Sequence, residues 1–592
     1  MAKSEQKVSG KVLDWTLAQR LFQYVRPYRS VFLFALFLTI MLAVLGPLRP
    51  VLVQVTLDNY IIEGDLSGLQ MMIMIIVGAI VLETIIMYGN TYLTNWLGQS
   101  IIKDIRKQVF KHVLRLELRF FDKTPIGTLQ TRVINDVETL NDVFTSGLVR
   151  IIGQLLQLFA IIGYMFYVSW DLSLAVLTTL PLLIGATIVF KNKVKAAFQQ
   201  VRKSVSEMNA FLQEHISGMN IIHLFNREEV EMERFGEINQ RLRKSNINSV
   251  LYYSVYFPVI EIITAASVAI LVWYGAGRVM DFQLRFGELV AFIMFVQMFF
   301  RPLRMLADQF NVLQLGMVSA ERIFKILDTQ TVIEDEGKQV AAKEKTKGVG
   351  IQFDHVTFAY KEPEWVLQDI SFDVKPGHKL ALVGSTGSGK TTIINLLSRF
   401  YEIQKGDILV NGVNIKAYKL DELRALIGVV LQDVFLFSGS VYDNITLNNP
   451  DIPMEVVETS ARRVGAHDFI SKLPGGYNYN VQERGASLSL GQRQLIAFAR
   501  VMTYDPQILV LDEATANIDT ESEEIIQQAI ETVMAGRTSV IIAHRLSTIQ
   551  QADQILVLDK GKMVEKGSHE ELLKQEGAYY QLHQKQFIAP VS

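Results

Sequence analysis

Apolar and polar positions alternate in two different ways along this chain, and the change comes at about residue 330. Before it, six long apolar stretches cover about 31–62, 71–97, 143–168, 172–190, 251–273 and 289–300 with flanks. Most reach the ~20 residues a helix needs to cross ~30 Å of hydrocarbon, so they predict membrane-spanning helices. The first is interrupted by Gly46-Pro47-Leu48-Arg49-Pro50, where a bend or an exit from the bilayer is expected. The sixth is short and must borrow residues from 282–286 or 303–310. Ahead of them, Asp14 can cap a helix that sets Trp15, Ala18, Leu21, Phe22 and Val25 on one face. It reads as a helix lying along the membrane surface, with packing on another domain as the alternative. After a polar stretch without hydrophobic periodicity, short apolar runs bounded by turn residues predict a soluble α/β domain. The expected division is a transmembrane domain over 1–327, a linker over 328–348 and a second domain over 349–592.

The charges between the apolar stretches give an orientation. Arg20, Arg26 and Arg29 precede the first, whereas Asp58, Glu63 and Asp65 follow it without a basic residue. Lys103, Arg106, Lys107, Lys111, Arg115 and Arg119 follow the second, and only Ser169-Trp170-Asp171 joins the third to the fourth. Lys191, Lys193, Lys195, Arg202 and Lys203 come next. Basic residues favour the cytoplasmic side, so six crossings with both chain ends inside are predicted. Arg278 and Arg285, in the fifth connection, depart mildly from the pattern. The inner connections 98–121 and 191–250 are charged, helix-compatible and free of proline. At 1.5 Å per residue the first alone spans ~35 Å. Such helices should carry their turning points deep into the cytoplasm, where a soluble domain could grip them.

Composition narrows the picture. The 592 residues are too many for one core, so several domains are expected. Hydrophobic residues make up 49% and the mean hydropathy is +0.23, high for a soluble protein of this size. A net charge of −2 gives no reason to expect nucleic acid as a partner. The absence of cysteine excludes disulfides, thiol catalysis and thiolate metal sites. The polar, basic start over 1–29 lacks the apolar core of a cleaved signal peptide. Glu83 and Glu261 each lie near the middle of an apolar stretch, where a carboxylate is costly. Each should face the bundle interior, pair with a cation or be protonated. Contact with cationic amphiphiles and helix–helix hydrogen bonding are the competing roles. Phe159, Tyr164, Phe166, Phe292, Phe295, Phe299 and Phe300 could line an apolar cavity, face lipid or fill the core.

The candidate chemistry lies in the second half. Gly384-Ser385-Thr386-Gly387-Ser388-Gly389-Lys390-Thr391 fits G-x-x-x-x-G-K-[ST]. A predicted strand over 379–383 precedes it, and a predicted helix from Thr392 to Phe400 follows. The glycines let backbone N–H groups curl around phosphate oxygens, and the helix N-terminus adds partial positive charge. Lys390 should reach the β- and γ-phosphates and Thr391 should ligate Mg²⁺. Ile508-Leu-Val-Leu-Asp-Glu513 reads as an apolar strand ending in two carboxylates. Asp512 should hold Mg²⁺ through its water shell, and Glu513 should orient the attacking water. Leu488-Ser-Leu-Gly-Gln492 opens a predicted helix over 493–503. There Ser489 and the N–H of Gly491 can form a second anion site beside Gln492.

The run from Leu488 to Gln492 resembles the signature that separates ABC proteins from other phosphate-loop ATPases. From about Leu21 to about Leu582 the chain resembles ABC exporter half-transporters of the lipid-flippase and multidrug-exporter group, with fused membrane and nucleotide-binding domains. The fold this implies is α + α/β, a six-helix transmembrane domain followed by a phosphate-loop ABC ATPase domain. The stretches from Phe121 to Asp136 and from Glu214 to Phe225 resemble the two cytoplasmic loops that carry coupling helices. Tyr360 matches the aromatic that stacks on adenine, and Gln432 the residue that senses Mg²⁺ and the γ-phosphate. Ala516-Asn-Ile-Asp519 is similar to the D-loop of the dimer seam, with Asn517 a mild variation. His544 matches the switch histidine on the γ-phosphate, and Glu483-Arg-Gly485 resembles the exporter loop that follows the coupling helices. Leu490 stands where the family signature has glycine. By the same resemblance Ser489 would face an ATP held by another copy. One loop and one signature per chain therefore imply a dimer with a second half-transporter, identical or related. ATP and Mg²⁺ are the implied cofactors, a cell membrane (a bacterial inner membrane) the location, and the ATPase domain cytoplasmic. The implied function is ATP-driven export of hydrophobic or amphiphilic compounds, drugs or lipids. An ATP-gated channel or sensor on the same frame is the alternative. A soluble ABC ATPase acting on DNA or ribosomes is disfavoured by the six crossings.

Overall fold

The computed structural model of the chain describes residues 14–329, 349–512, 520–543 and 545–584, together with 333, 335 and 337–339. It divides into one unit of Met1–Leu114 and Ile126–Thr329 and another of Arg115–Pro125 and Gln330–Ser592.

The first unit is helical, because helices satisfy backbone N–H and C=O groups within the segment where hydrocarbon offers no partner. Among the described residues, five helical runs are long and apolar enough to cross a membrane: Arg26–Ile61, Leu66–Val113, Ile126–Val168, Trp170–Ser217 and Glu228–Met280. The expected sixth segment lies in the helix Phe286–Leu327, which is not one of the five. Glu288, Arg301 and Arg304 bracket its apolar run. The helix does not end at 46–50: Arg29–Thr56 runs through Pro47 and Pro50 as one helix. Both prolines are buried, so neighbouring helices hold the helix together where its own hydrogen bonds are lost. The leading helix Trp15–Gln23 is capped by Asp14, whose Oδ1 accepts from Thr16 N at 2.9 Å. Leu21 and Val25 are buried against Ile101, Ile105 and Phe324, whereas Trp15 and Phe22 stay exposed. The expected single apolar face is thus split between protein and surroundings. Arg20 fixes the helix with two 2.8 Å bonds to Asp328.

The inner connections differ in detail from the sequence reading. Leu66–Val113 has 48 residues but ends before 121, and Leu118–Lys123 is a separate short helix. Leu180–Ser217 and Glu228–Met280, of 38 and 53 residues, leave a turn that holds the short helix Met219–Leu224. Two histidines brace that turn: His215 bridges Phe211 O and Glu231, each at 2.8 Å, and His223 meets Glu228 at 2.8 Å. Leu224 and Phe225 beside it are exposed. At the opposite ends of these helices the two arginines that broke the charge pattern both have partners. Arg278 pairs with Asp171, and Arg285 Nη1 donates to Asn59 at 3.4 Å. The aromatic set divides as well. Phe292, Phe295, Phe299 and Phe300 are core residues packed with Ile161, Leu172 and Ile260, whereas Phe159 and Phe166 are exposed. Glu83 receives a 3.0 Å bond from Arg49, and Glu261 is exposed.

The second unit contains two sheets. β1 (Ile351–Phe358), β2 (Leu367–Val374), β4 (Lys405–Val410) and β5 (Val413–Asn414) form an antiparallel sheet in the order β2-β1-β4-β5. β3 (Lys379–Gly384), β6 (Ile427–Val430), β7 (Ile508–Asp512), β8 (Thr538–Ile542), β9 (Gln554–Asp559) and β10 (Lys562–Gly567) form the other, ordered β10-β9-β3-β8-β7-β6. All its pairings are parallel except that of β10 with β9. Its central strands read as unbroken apolar runs because both faces are covered. Ala381, Val383, Leu509, Leu511 and Ile541 point into a helical layer with Phe498 and Ile526. Leu380, Leu382, Val510, Val540 and Ile542 point towards the antiparallel sheet with Phe353 and Ile408. The strand period of two thus builds a core on each side. Of the linker positions described, Asp335 accepts from Leu420 N at 2.9 Å and Gln339 N donates to Ala417 O at 3.0 Å.

Candidate functional site: a phosphate cradle at a sheet edge

The parallel register fixes which residues meet at the carboxyl edge of the six-stranded sheet. Leu382 of β3 is level with Ile542 of β8, which is level with Asp512 of β7. One step in, Leu511 is level with Val430 of β6, two residues before the exposed Gln432. The loop 384–389, Asp512 and Gln432 therefore leave the sheet along one edge, where open α/β sheets bind their ligands. β8 leads through Ala543 to His544, and β7 ends at Asp512, ahead of Glu513. Glu513, Asp519 and His544 lie outside the described residues.

The loop takes its shape from its glycines. A Cβ on Gly384 would lie 2.2 Å from Leu558 O, and one on Gly389 would lie 2.5 Å from Leu367 Cδ2. Gly389 also has φ +105°, a conformation other residues adopt only with strain. Gly384→Ala is accordingly expected to destabilise the unit by about 1–3 kcal/mol through overpacking. Thermal unfolding of the purified chain checks this. Ser385, Thr386 and Gly387 are exposed at the tip. Ser388 is 2% exposed, and its Oγ has no hydrogen-bond partner, a buried polar atom in the loop that the fold leaves unsatisfied. Lys390 opens the helix Lys390–Leu397 and its Nζ donates to Gly384 O and Ser385 O at 2.7 and 3.0 Å. Burial lowers the pKa of this ammonium, and the Asp512 carboxylate opposes the shift. Thr391 is exposed at the helix start, and Thr392 is buried with its Oγ1 3.2 Å from Tyr360 OH.

Two further parts of the unit carry candidate residues. Tyr360 stands edge-on to Phe358 and to Tyr401, with ring centroids 4.9 and 5.0 Å apart. The signature run forms the start of the helix Leu490–Tyr504. Ser489 is the exposed N-cap: its Oγ accepts from Gln492 N at 3.3 Å and Gln492 Oε1 accepts from Ser489 N at 3.0 Å. Gly491 is buried in the first turn. Leu490, in place of glycine, has ordinary helical backbone and adds no strain. The turn at Glu483–Gly485 is wedged between the segment after Gln432 and this helix. A Cβ on Gly485 would lie 2.9 Å from Leu436 and 3.0 Å from Arg493.

Residues 115–125 also reach this site, which local sequence reading misses. Arg119 Nη2 donates to Tyr360 O at 2.5 Å, and Tyr401 OH donates to Asp122 Oδ2 at 2.7 Å. Asp122 and Tyr401 are 279 positions apart, so no local pattern could have paired them.

A phosphate cradle on the edge of a parallel sheet, in a chain whose other unit holds apolar helices of membrane length, defines a membrane-bound nucleotide-binding ATPase. The chain belongs to the ABC transporters. It matches the ABC transporter transmembrane region over residues 32–303 and the ABC transporter family over 367–516. It is 40% identical to the uncharacterized ABC transporter ATP-binding protein YknV of Bacillus subtilis, over 99% of this chain and 97% of that protein. It is 38% identical to the probable multidrug resistance ABC transporter ATP-binding/permease protein YheH of the same organism, over 88% of this chain and 78% of the other. It is 35% identical to an ATP-dependent lipid A-core flippase of Desulfotalea psychrophila, over 96% and 99% of the two chains. This is a multi-pass membrane protein that binds ATP and couples its hydrolysis to transport.

Proposed function

We propose that this chain is one half of an exporter, and that two copies, or one copy and a related chain, close on two ATP molecules. The proposed dividing lines are 1–327 in and near the membrane, with 115–125 belonging to the second unit, 328–348 as linker and 349–592 as the ATPase. The observation that carries the reading is the outward-facing N-cap of the helix Leu490–Tyr504. An exposed Ser489 on the N–H end of a helix is a second anion site on a domain that already has one cradle. Residues 384–392 would hold the phosphates of one ATP, and Tyr360 would stack on its adenine. Ser489, Gly491 and Gln492 of the opposite chain would cover it, with Asp519 at the seam. Thr391, Asp512 and Gln432 present hard oxygen donors suited to Mg²⁺, which would neutralise charge on the phosphates. Glu513 would orient the attacking water, and His544 would contact the γ-phosphate.

ATP contacted from both sides only in the closed dimer shifts the equilibrium towards closure by its differential affinity. Closure would pull on the turns near Ile126–Thr131 and Met219–Leu224. The long helices would carry that motion into the bilayer and turn an inward-facing cavity outward. Six crossings and a bacterial inner membrane complete the proposal, with the ATPase units in the cytoplasm. The transported compounds would be hydrophobic or amphiphilic, in line with relatives named as a multidrug resistance transporter and a lipid A-core flippase.

Glu261 is the stronger candidate for contact with cationic amphiphiles. It is exposed, and its chain neighbours Val259 and Ile262 line an apolar cleft of about 660 Å³ with Pro181 and Gly185. Glu83 is already bonded to Arg49. Glu261→Gln is expected to reduce transport of cationic relative to neutral amphiphiles, and Glu83→Gln to loosen the helix pair it joins. Efflux assays with both variants check this, and unchanged transport of every cationic compound in both would remove the idea. The function as a whole is tested in vesicles holding the purified chain. ATP should drive uphill accumulation of a fluorescent hydrophobic cation or transbilayer movement of a labelled phospholipid, and Glu513→Gln should abolish it. ATP-triggered passive flux without a gradient would instead identify a gated channel. Robust turnover by the single purified species would favour the homodimer.

A further inference from the structure

The aromatic ring proposed to stack on adenine is held by Thr392 of the phosphate-binding stretch and, from behind, by groups outside it. Its neighbour Ala359 is clamped by Gln404, whose Oε1 accepts from Ala359 N at 3.0 Å and whose Nε2 donates to Ala359 O at 2.9 Å. Its own carbonyl accepts from Arg119. Its hydroxyl is within 3.2 Å of Thr392 Oγ1 and 3.4 Å of Asn395 Nδ2. Its ring meets Tyr401 at an interplanar angle of 88°, an edge-to-face arrangement that resists sliding. Tyr401 is 6% exposed, and its hydroxyl donates to Asp122. Burial first, and then the Asp122 carboxylate, raise the pKa of this phenol, so it remains a donor throughout the working range of pH. A buried phenol bonded to a carboxylate has little freedom to rotate or withdraw.

We infer that Tyr401, locked by Asp122, is a positioning residue for nucleotide binding: it fixes the ring plane of Tyr360 and thereby sets the affinity of the site for ATP. The inference rests on the reading of Tyr360 as the adenine-stacking residue. It also gives residues 115–125 a task in the second unit: Asp122 holds Tyr401 while Arg119 holds the Tyr360 backbone. Loss of this lock acts on the ground-state fit of the base. It leaves the groups around the γ-phosphate in place, so binding should suffer more than turnover.

The test uses the full-length chain in detergent or nanodiscs, with ATPase kinetics and binding of a fluorescent ATP analogue. Tyr401→Phe keeps the ring and removes the hydroxyl; it should raise KM for ATP about three- to tenfold, because the lost hydrogen bond acts on the nucleotide only through the Tyr360 ring, with little change in kcat. Asp122→Ala should do the same. Asp122→Asn keeps an acceptor for the phenol and should restore near-normal KM, a rescue that bulk destabilisation would not show. In a Tyr360→Ala background, Tyr401→Phe should add nothing further, because both act through one ring. An unchanged KM and analogue affinity in both Tyr401→Phe and Asp122→Ala, with Tyr360→Ala raising KM, would overturn the inference and leave the adenine reading standing. Additive effects in the double variant would overturn it as well. An unchanged KM in Tyr360→Ala would instead remove the adenine reading and this inference with it. Thermal unfolding identifies any variant that fails to fold, and the two routes to the same loss, at 401 and at 122, keep the comparison available.

Discussion

Lys390→Met is expected to lower ATP hydrolysis about 100- to 1,000-fold, the usual loss when one preorganised donor is taken from developing charge in a water-poor site. The ammonium is buried and donates to Gly384 O and Ser385 O. These two carbonyls hold it over the loop that would receive the phosphates. Methionine keeps the length and apolar stem of the side chain, so the packing around the helix Lys390–Leu397 should survive. The loss should therefore appear with a near-normal unfolding temperature. Steady-state phosphate release and a thermal melt of the same preparation check both halves. An enzyme that retained a tenth or more of its turnover would show that Lys390 does not act on the phosphates.

Glu513→Gln is expected to lower turnover about 100- to 10,000-fold while leaving ATP binding intact, the range for loss of a positioned general base. Asp512, one position earlier, ends β7 at the carboxyl edge of the sheet, level with Ile542 of β8. A glutamine at 513 keeps the size of the side chain but cannot take a proton from water. ATP should then stay bound between two chains, so the variant should accumulate as a nucleotide-occluded dimer. The second unit includes residues 115–125, which only the whole chain supplies. Occluded nucleotide per chain and cross-linking between chains are therefore measured on the whole protein. Turnover close to the unmodified chain would reassign the water-orienting role to another residue.

The two variants separate steps that a single activity measurement would merge. Lys390→Met should weaken binding and turnover together, since the lysine would face phosphate in both ground and transition states. Glu513→Gln should affect turnover alone. A difference in that sense would also support the order of events proposed for the pump, with closure on ATP preceding hydrolysis.

Much of the architecture was legible because it follows from short-range rules. Apolar runs of membrane length predicted long helices, and five of the expected six appear among the described residues. The glycines at 384 and 389 reported a loop whose backbone passes within Cβ distance of Leu558 and Leu367. The stretch from Ser489 to Gln492 was legible as the opening of a helix, and its capping box became visible only in the structure. The prolines at 47 and 50 do not end their helix, because proline breaks an isolated helix but not one supported on its flanks by other helices. The charged stretch 98–121 misled: helix-compatible composition does not mark a stop, and the helix ends at Val113. The aromatic set around 159–166 and 292–300 could not be assigned in advance, since core, lipid and cavity all accept phenylalanine.

From the sequence alone came five of the apolar helices of membrane length, an expected orientation from the arginines and lysines, and the cradle residues from Gly384 to Thr391. These depend on periodicity, on charge near a membrane and on glycine where no side chain fits, all of which act over a few neighbouring residues. Only the tertiary structure decided that Asp512 and Gln432 leave one sheet edge, that Glu83 is answered by Arg49, and that Arg278 is answered by Asp171. It alone joined Asp122 to Tyr401 behind Tyr360. Each of these pairs elements far apart in the chain, and their meeting is set by strand order and helix packing, to which no local pattern of residues is sensitive.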